Sequence, residues 1–176
     1  LTIDGADEFD HNLALIKGGG AALLQEKIVA TASDQMIVIA DAAKEVTQLG
    51  AFPLPVEVIP FGWQTTKALL EETLMSLDVL NREVTLRMNG DRPLITDEAN
   101  YIIDLHLKRI GNPRQMALVL NQIPGVVENG LFIDICDIVV IGHGDGRVTV
   151  RDINNGTEGE EFVEFAPSDN IFADME

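Results

Sequence analysis

The spacing of hydrophobic residues divides the first fifty residues of the chain into a strand, a helix and a second strand. Residues 1–4 indicate a short buried strand that runs into a turn, and residues 21–32 fit a helix that follows three glycines. Residues 36–40, Met-Ile-Val-Ile-Ala, form an unbroken apolar run of strand length. Such runs are typical of parallel strands that are covered on both faces. The pattern therefore predicts a β-α-β unit with parallel strands.

A different pattern begins near residue 55, after Phe-Pro-Leu-Pro at residues 52–55 has interrupted the first one. Alternating or apolar runs predict four strands, at residues 56–59, 84–88, 101–107 and 125–132. Amphipathic spacing predicts two helices, at residues 65–77 and 113–122. The resulting order, β-α-β-β-α-β, is that of the split βαβ or ferredoxin-like arrangement.

Two further strands are predicted at residues 138–141 and 148–150, joined through an Asp145-Gly146 turn. The predicted fold class is therefore α/β, with part of a Rossmann-like parallel sheet and an inserted ferredoxin-like α+β domain. Residues 1–54 and 134–150 are assigned to the Rossmann-like part, and residues 55–133 to the inserted domain. Two or three parallel strands are few for a stable open sheet.

The ends of the chain carry separate expectations. Residue 1 is Leu and already indicates a buried strand, so we expect the chain to begin within a fold whose earlier strands lie upstream. An upstream targeting segment is left open. Residues 151–176 are predicted to be an acidic C-terminal extension with few helix or strand signals, which Phe162, Phe165 and Phe172 could pin to the surface.

The charge of the chain restricts its partners. Twelve Lys and Arg side chains face 29 Asp and Glu, which gives a net charge of −17. Such a field repels nucleic acid and anionic membranes, and no apolar run approaches the roughly 18–20 residues that a membrane helix needs. We expect a soluble, cytoplasmic protein with a small-molecule ligand. An anionic ligand would need locally placed cations and backbone amides.

Cysteine and histidine offer no metal or disulfide framework. The single cysteine, Cys136, excludes an internal disulfide and lies in an apolar stretch, where we expect a buried, inert thiol. His11, His106 and His143 are widely separated and lack metal-ligand spacing. No metal site is predicted, and the three histidines are interpreted as structural.

The acidic segment Asp4-Gly5-Ala6-Asp7-Glu8 follows the first predicted strand. Ligands of open α/β sheets bind beyond the carboxyl ends of strands. Asp4 and Asp7 could therefore face one crevice and accept hydrogen bonds from ligand hydroxyls, or shuttle protons. A solvated Asp-Gly turn explains the same residues. A calcium loop fits poorly, because Ala6 and Phe9 occupy the positions that require an acid or amide and a glycine.

The segment Lys17-Gly18-Gly19-Gly20 precedes the first predicted helix. Glycines let the backbone approach a ligand closely, and a helix start presents free N–H groups. With the Lys17 cation, this combination suits an oxyanion or a phosphate. The alternative is a glycine run that serves only as a flexible connection.

Two further residues are candidates because of their positions. Glu26 is expected in the second turn of the first helix, beside Ala22 and Val29, where partial burial would raise its pKa toward that of a useful general base. Its alternative role is an exposed helix glutamate paired with Lys27. Lys44 follows the second parallel strand and could reach the same crevice, although its position alone favours an ordinary surface lysine at the start of a helix.

Several motifs, in one order and with consistent spacing, resemble the A-type ribose-5-phosphate isomerases over residues 1 to about 150. The motifs are Asp4-Gly5-Ala6-Asp7-Glu8, Ile16-Lys17-Gly18-Gly19-Gly20-Ala21-Ala22-Leu23, Glu26-Lys27-Ile28, Phe52-Pro53-Leu54-Pro55-Val56-Glu57-Val58-Ile59-Pro60 and Ile123-Pro124-Gly125-Val126-Val127. The resemblance implies a metal-independent, cofactor-free aldose–ketose isomerase of the non-oxidative pentose phosphate pathway. It also implies an inserted ferredoxin-like domain and a homodimer or homotetramer.

The resemblance implies roles for residues already selected. Glu26 aligns with the base that moves a proton between C1 and C2 of the sugar, and Lys17 with the group that stabilises the enediolate oxygen. Asp4 and Asp7 match carboxylates that engage the sugar hydroxyls and assist ring opening. Lys44 matches a lysine that contacts the substrate. The implied substrate contacts are Asp4, Gly5, Ala6, Asp7, Lys17, Gly18, Gly19, Gly20 and Lys44.

Two departures and two alternatives accompany this hypothesis. The upstream Gly/Ser/Thr loop with which the family cradles the phosphate is not in this sequence, and the segment from about Arg151 has no counterpart in the resemblance.

A non-catalytic sugar-phosphate sensor could dispense with Glu26 and would normally carry a basic DNA-binding segment. An amino-sugar phosphate deaminase would require a catalytic histidine near the acid pair, where His11 lies in the sequence.

Overall fold

The computed structural model of the chain describes residues 1–163. The helices of this part are α1 (Leu23–Thr31), α2 (Trp63–Leu74) and α3 (Pro113–Leu120), and a short 3₁₀ turn covers Ala42–Lys44. The strands are β1 (Thr2–Asp4), β2 (Glu8–Phe9), β3 (Leu15–Ile16), β4 (Met36–Asp41), β5 (Leu54–Val58), β6 (Glu83–Leu86), β7 (Met88–Asn89), β8 (Arg92–Pro93), β9 (Tyr101–His106), β10 (Val126–Asn129), β11 (Leu131–Phe132), β12 (Ile138–Gly142), β13 (Arg147–Asp152) and β14 (Thr157–Phe162).

The first sheet has the strand order β1-β4-β12-β13-β14. The strands β1, β4 and β12 run parallel, as predicted, and β13 and β14 add an antiparallel edge. Met36 and Val38 are buried, but Ile3 and Ile39 are 58% and 55% exposed. Alternate residues of a strand point to opposite faces, so the second face is open within residues 1–163. The expectation that both faces are covered is wrong for this part of the chain.

The second sheet has the order β10-β5-β9-β6, and all of its neighbouring strands are antiparallel. Its elements follow one another as β5-α2-β6-β9-α3-β10, which is the predicted β-α-β-β-α-β order. All residues of β5 are buried. The helices close the core over this sheet through Leu70 and Leu74 of α2 and Met116 and Leu120 of α3. The assignment of residues 55–133 to a separate inserted domain stays a prediction.

A small third sheet, β11-β3-β2, connects these two parts and positions Lys17. The predicted strand over residues 125–132 is divided at Gly130, because β10 pairs with β5 whereas β11 pairs with β3. Gly130 accepts a hydrogen bond from Lys17 N–H at 2.9 Å and donates one to the Pro55 carbonyl at 2.8 Å. A Cβ at residue 130 would lie 2.4 Å from the Lys17 carbonyl oxygen. The glycine therefore permits the close approach that fixes the backbone of Lys17.

The segment after residue 150 has more structure than the sequence indicated. The strand β14 pairs with β13 over six residues, although all of its residues are exposed. Arg147 pairs with Glu160 at 2.8 Å, and Arg151 with Glu158 at 3.1 Å. Acidic residues and glycine have low strand propensity, which explains why the pattern gave no strand signal. The rest of the acidic extension, residues 164–176 with Phe165 and Phe172, lies outside the described residues.

Within residues 1–163, no helix is both long enough and apolar enough to cross a membrane.

Candidate active site

A polar cavity of about 210 Å³ opens where the parallel strands β1 and β4 end. Its position agrees with the rule that ligands of open α/β sheets bind beyond the carboxyl ends of strands. The structure brings all of the candidate site residues to this one cavity. Its lining consists of Asp4, Gly5, Ala6, Asp7, Lys17, Gly18, Gly19, Gly20, Glu26 and Lys44.

Lys17 is the buried cation of the cavity, with only 2% of its surface exposed. Its ammonium donates hydrogen bonds to Asp4 Oδ2 at 2.9 Å and to the Gly5 carbonyl at 2.5 Å. It also lies 3.4 Å from Glu26 Oε2 and 5.5 Å from the centre of the Phe132 ring. Burial of a charge is costly unless the charge is paired. The carboxylates of Asp4 and Glu26 therefore offset the burial of the Lys17 ammonium at the cavity wall.

Glu26 lies in the first turn of α1 rather than the second, because the helix begins at Leu23. Its side chain is 25% exposed. Burial raises the pKa of the Glu26 carboxyl above its ordinary value, and the nearby charges of Asp4 and Asp7 raise it further, while the ammonium of Lys17 opposes the shift. Apart from the Lys17 ion pair, Glu26 Oε2 has no hydrogen-bond partner within residues 1–163. This oxygen is buried and faces the Lys17 ammonium.

The alternative pairing of Glu26 with Lys27 is wrong. The ammonium of Lys27 instead contacts Glu128 Oε1 at 2.9 Å and the Asn129 carbonyl at 2.6 Å. It also lies 4.8 Å from the centre of the Phe132 ring. The pKa of Lys27 is lowered by burial, and Glu128 counteracts this effect. Glu26 and Lys27, although adjacent on α1, therefore pair with different residues, and of the two only Glu26 lines the cavity.

The three glycines form a turn before α1, not the first turn of the helix itself. Gly18 has a φ of 100° and Ala21 a φ of 66°, so the helical conformation does not extend back through them. The turn is closed by a hydrogen bond from Ala21 N–H to the Gly18 carbonyl at 2.9 Å. The expectation that the glycine amides belong to a helix start is therefore wrong. They line the cavity as amides of a turn.

The acid pair and Lys44 complete the wall. Asp7 Oδ2 accepts a hydrogen bond from Gly19 N–H at 2.7 Å, and Asp4 Oδ1 accepts one from Gly5 N–H at 2.8 Å. Lys44 ends the 3₁₀ turn after β4, and its ammonium donates to the Ala6 carbonyl at 3.1 Å. The solvated-turn interpretation of the acidic segment does not explain these contacts, because both carboxylates are held at the cavity by other groups in it.

Residues predicted to be structural lie away from this cavity. His11 lines a different depression with Ala42 and Thr47, and His106 and His143 hydrogen-bond to threonines on neighbouring strands. Cys136 is buried, and burial raises the pKa of its thiol to about 12. In the part of the chain that the structure covers, no group of three or more His, Cys, Asp or Glu side chains could hold a metal ion.

One residue that contacts the site was not identified from the sequence. The guanidinium of Arg87, next to β6 of the second sheet, donates to the carbonyls of Gly18 and Gly19 at 2.9 and 3.0 Å. Almost seventy residues separate these partners along the chain. No local spacing could have indicated the contact, because it depends on how the two sheets pack.

Comparison with known proteins points to one family. The family described as ribose 5-phosphate isomerase A (phosphoriboisomerase A) matches residues 1–146. A protein of Ruegeria pomeroyi with the name ribose-5-phosphate isomerase A is 76% identical over 175 residues, which are 99% of this chain and 67% of that protein. A protein of the same name from Cereibacter sphaeroides is 74% identical over the same length. These relatives also align with the segment after Arg151, so the expectation that this segment has no counterpart is wrong.

Solved structures agree with these matches. A D-ribose-5-phosphate isomerase in complex with phospho-erythronic acid is 46% identical, with a TM-score of 0.76 over 85% of this chain and 63% of that chain. Ribose 5-phosphate isomerase A of Methanocaldococcus jannaschii is 38% identical, with the same TM-score, over 85% of this chain and 64% of its own. The chain thus spans about two thirds of the length of the proteins that it matches.

Proposed function

The chain belongs to the ribose 5-phosphate isomerase A family, and from this premise we propose that it carries the catalytic cavity of an enzyme that interconverts D-ribose 5-phosphate and D-ribulose 5-phosphate. This is the aldose–ketose isomerisation of the non-oxidative pentose phosphate pathway. One observation supports the assignment most strongly. A buried ammonium, Lys17, lies 3.4 Å from the Glu26 carboxylate at the wall of a small polar cavity.

The central step is a proton transfer by Glu26. In the direction of ribulose formation, the carboxylate removes the proton from C2 of the open-chain aldose, and the electrons of that C–H bond form the C1–C2 double bond of an enediolate. The π electrons of the C1 carbonyl move onto O1. The same carboxyl then returns the proton to C1 while a proton passes from the C2 hydroxyl to O1, which leaves the C2 carbonyl of the ketose. A base works best when its pKa lies near the operating pH, and burial shifts the pKa of Glu26 in that direction. The Glu26 carboxyl lines the cavity, where the substrate carbons can reach it.

Lys17 and the glycine turn stabilise the negative oxygen of the enediolate. Donors that are aimed at a developing charge before the reaction need no reorganisation when the charge forms. Lys17 is held in this way by Asp4 and Gly5. The N–H groups of Gly19 and Gly20 lie at the same wall. Gly19 N–H donates a hydrogen bond to Asp7 Oδ2.

Asp4 and Asp7 act at the sugar hydroxyls. As carboxylates they accept hydrogen bonds, and a carboxylate beside the anomeric hydroxyl assists opening of the furanose ring by accepting its proton. Lys44 lies on the same wall and binds the anionic substrate. Because the chain carries a net charge of −17, attraction of the phosphate depends on Lys17, Lys44 and backbone amides rather than on the long-range field.

The proposal extends to the protein as a whole. Its partner is the sugar phosphate, with no nucleic acid, no metal and no other cofactor, and the enzyme acts in the cytoplasm as a homodimer or homotetramer. The net charge of −17, which repels nucleic acid, supports the statement that the protein has no nucleic-acid partner. Light scattering of the purified protein measures its oligomeric state.

The test is an assay of the natural full-length protein with ribose 5-phosphate, before and after dialysis against a chelator. We expect ribulose 5-phosphate to form at the same rate in both samples. Binding of ribose 5-phosphate without turnover would instead support the sensor function, and release of ammonia from glucosamine 6-phosphate would support the deaminase. Neither alternative has a supporting contact, since Glu26 lines the cavity and His11 does not.

A further inference from the structure

Arg87 is held rigidly in the second sheet before it reaches the cavity. Its Nε donates to Asp104 Oδ2 at 2.8 Å, and its Nη2 donates to Asp104 Oδ1 at 2.5 Å. Asp104 belongs to β9, and the side chains of Arg87 and Asp104 are only 15% and 13% exposed. A two-point contact between a planar guanidinium and a carboxylate fixes direction as well as distance. The remaining nitrogen, Nη1, therefore has a defined orientation.

Nη1 of Arg87 donates to two consecutive carbonyl oxygens, those of Gly18 at 2.9 Å and Gly19 at 3.0 Å. Because a trans peptide is planar, its C=O and N–H point in opposite directions. The carbonyl of Gly18 shares a peptide plane with Gly19 N–H, and the carbonyl of Gly19 shares one with Gly20 N–H. A contact that holds both oxygens on the side of Arg87 must direct both N–H groups to the other side.

The hydrogen bonds of the turn agree with this orientation. Gly19 N–H donates to Asp7 Oδ2 at 2.7 Å, which places it on the cavity side. Gly20 N–H has no hydrogen-bond partner in the portion of the chain spanning residues 1–163. Glycine lacks the steric barriers that restrict other residues, so consecutive glycines alone would leave these peptide planes free to rotate. The Gly18–Gly19 peptide is also held by Ala21 N–H and by Asp7, but the Gly19 carbonyl has only Arg87 as a partner within residues 1–163. Preorganisation of the Gly20 amide therefore depends on Arg87.

We propose that Arg87 is a positioning residue, which holds the peptide planes of the glycine turn so that the N–H groups of Gly19 and Gly20 face the enediolate oxygen. This inference rests on the proposed isomerase function. It also gives the second sheet a role in the reaction. Asp104 belongs to β9 of that sheet, and Arg87 directly follows β6. Arg87 acts through the backbone and does not itself touch the substrate.

The experiment compares Arg87→Gln and Arg87→Lys with a matched control, Arg109→Gln, in the natural full-length protein. Arg109 makes a similar two-point contact, with Asp78, but does not line the cavity. We expect Arg87→Gln to lower kcat for ribose 5-phosphate at least tenfold, with KM changed less than threefold, since the amides act on charge that develops during the reaction. Arg87→Lys should recover part of this loss, and the control should keep the wild-type kcat.

A second measurement reports the turn without relying on turnover. In protein labelled with ¹⁵N-glycine, the amide signals of Gly19 and Gly20 should shift or broaden in Arg87→Gln and stay in place in Arg109→Gln. In Arg87→Gln, unchanged Gly19 and Gly20 signals or a kcat within threefold of wild type would overturn the inference, and so would an equal loss of kcat in the control. If Arg87→Gln does not fold, unchanged Gly19 and Gly20 signals in Arg87→Lys would overturn it. An inactive wild-type protein would refute the proposed function instead, and the glycine signals would still decide the role of Arg87 in the turn.

Discussion

Replacement of Lys17 by methionine tests the electrostatic design of the cavity. Methionine is unbranched and of similar length, so Lys17→Met removes the charge while it keeps most of the buried volume. The lost contacts are those to Asp4, Gly5 and Glu26. Coulomb's law with an effective dielectric constant of about 20 gives roughly 5 kcal/mol for unit charges at the 3.4 Å that separate Lys17 and Glu26. This attraction is several times the thermal energy.

Two effects on activity are expected, and they can be measured separately. Loss of one preorganised donor to a developing oxyanion typically costs about 2.7–4 kcal/mol, so kcat should fall by roughly 10²–10³. The second effect concerns the pKa of Glu26, which Lys17 keeps lower than burial alone would make it. Without Lys17 this pKa rises. Because the base must be ionised to act, the acidic limb of the profile of kcat/KM against pH should move to higher pH.

The assay is steady-state kinetics with ribose 5-phosphate between about pH 5 and 9, a range that spans the ordinary pKa of a carboxyl and neutrality. A matched control is Lys67→Met, which removes a partly buried lysine that pairs with Glu71 on α2 and does not line the cavity. The control should reproduce the wild-type profile. If Lys17→Met kept kcat within threefold of wild type, or left the acidic limb where it was, Lys17 would not be coupled to the base as described.

Two other predictions concern the glycine turn and the buried thiol. A Cβ at Gly19 would lie 2.6 Å from Asp7 Oδ1, so Gly19→Ala should displace Asp7 and lower kcat/KM on the order of 10²-fold. A Cβ at Gly20 would have no atom within 4 Å, so Gly20→Ala should lower kcat/KM much less. Equal losses of kcat/KM in the two variants would contradict this prediction. Cys136 is buried, and burial raises the pKa of its thiol to about 12. Alkylation by iodoacetamide at pH 8, followed by mass spectrometry, should therefore be slow in the native protein and fast in urea. Rapid labelling of the native protein would show that the thiol is accessible.

The site was predictable from the sequence because its residues lie in short segments next to strand ends. Asp4 ends β1, Asp7 follows it, and Lys44 follows β4. The carboxyl ends of neighbouring parallel strands meet at one edge of a sheet, so correct strands were sufficient to bring these side chains together. Family motifs contributed the role of Glu26, whose residue type and helical position alone left the pairing with Lys27 open.

Contacts between distant parts of the chain were not predictable in the same way. Lys27 pairs with Glu128, about a hundred residues away, and Arg87 reaches the glycine turn from another sheet. These partners depend on the packing of complete elements, which periodicity does not report. The strand β14 was missed for a different reason. Its acidic residues have low strand propensity, and its pairing with β13 is supplemented by ion pairs from Arg147 and Arg151.

The role of Glu26 as the base is tested most directly by the rate at which Glu26→Gln exchanges hydrogen for deuterium at the reacting carbons of the substrate. The variant keeps the size and polarity of the side chain but cannot take up a proton as a carboxylate does. In D₂O, the natural full-length protein should introduce deuterium at C2 of ribose 5-phosphate during turnover, as seen by proton NMR. We predict that Glu26→Gln still binds ribose 5-phosphate but introduces deuterium at least on the order of 10³-fold more slowly. Exchange by Glu26→Gln at the wild-type rate would show that another group transfers the proton.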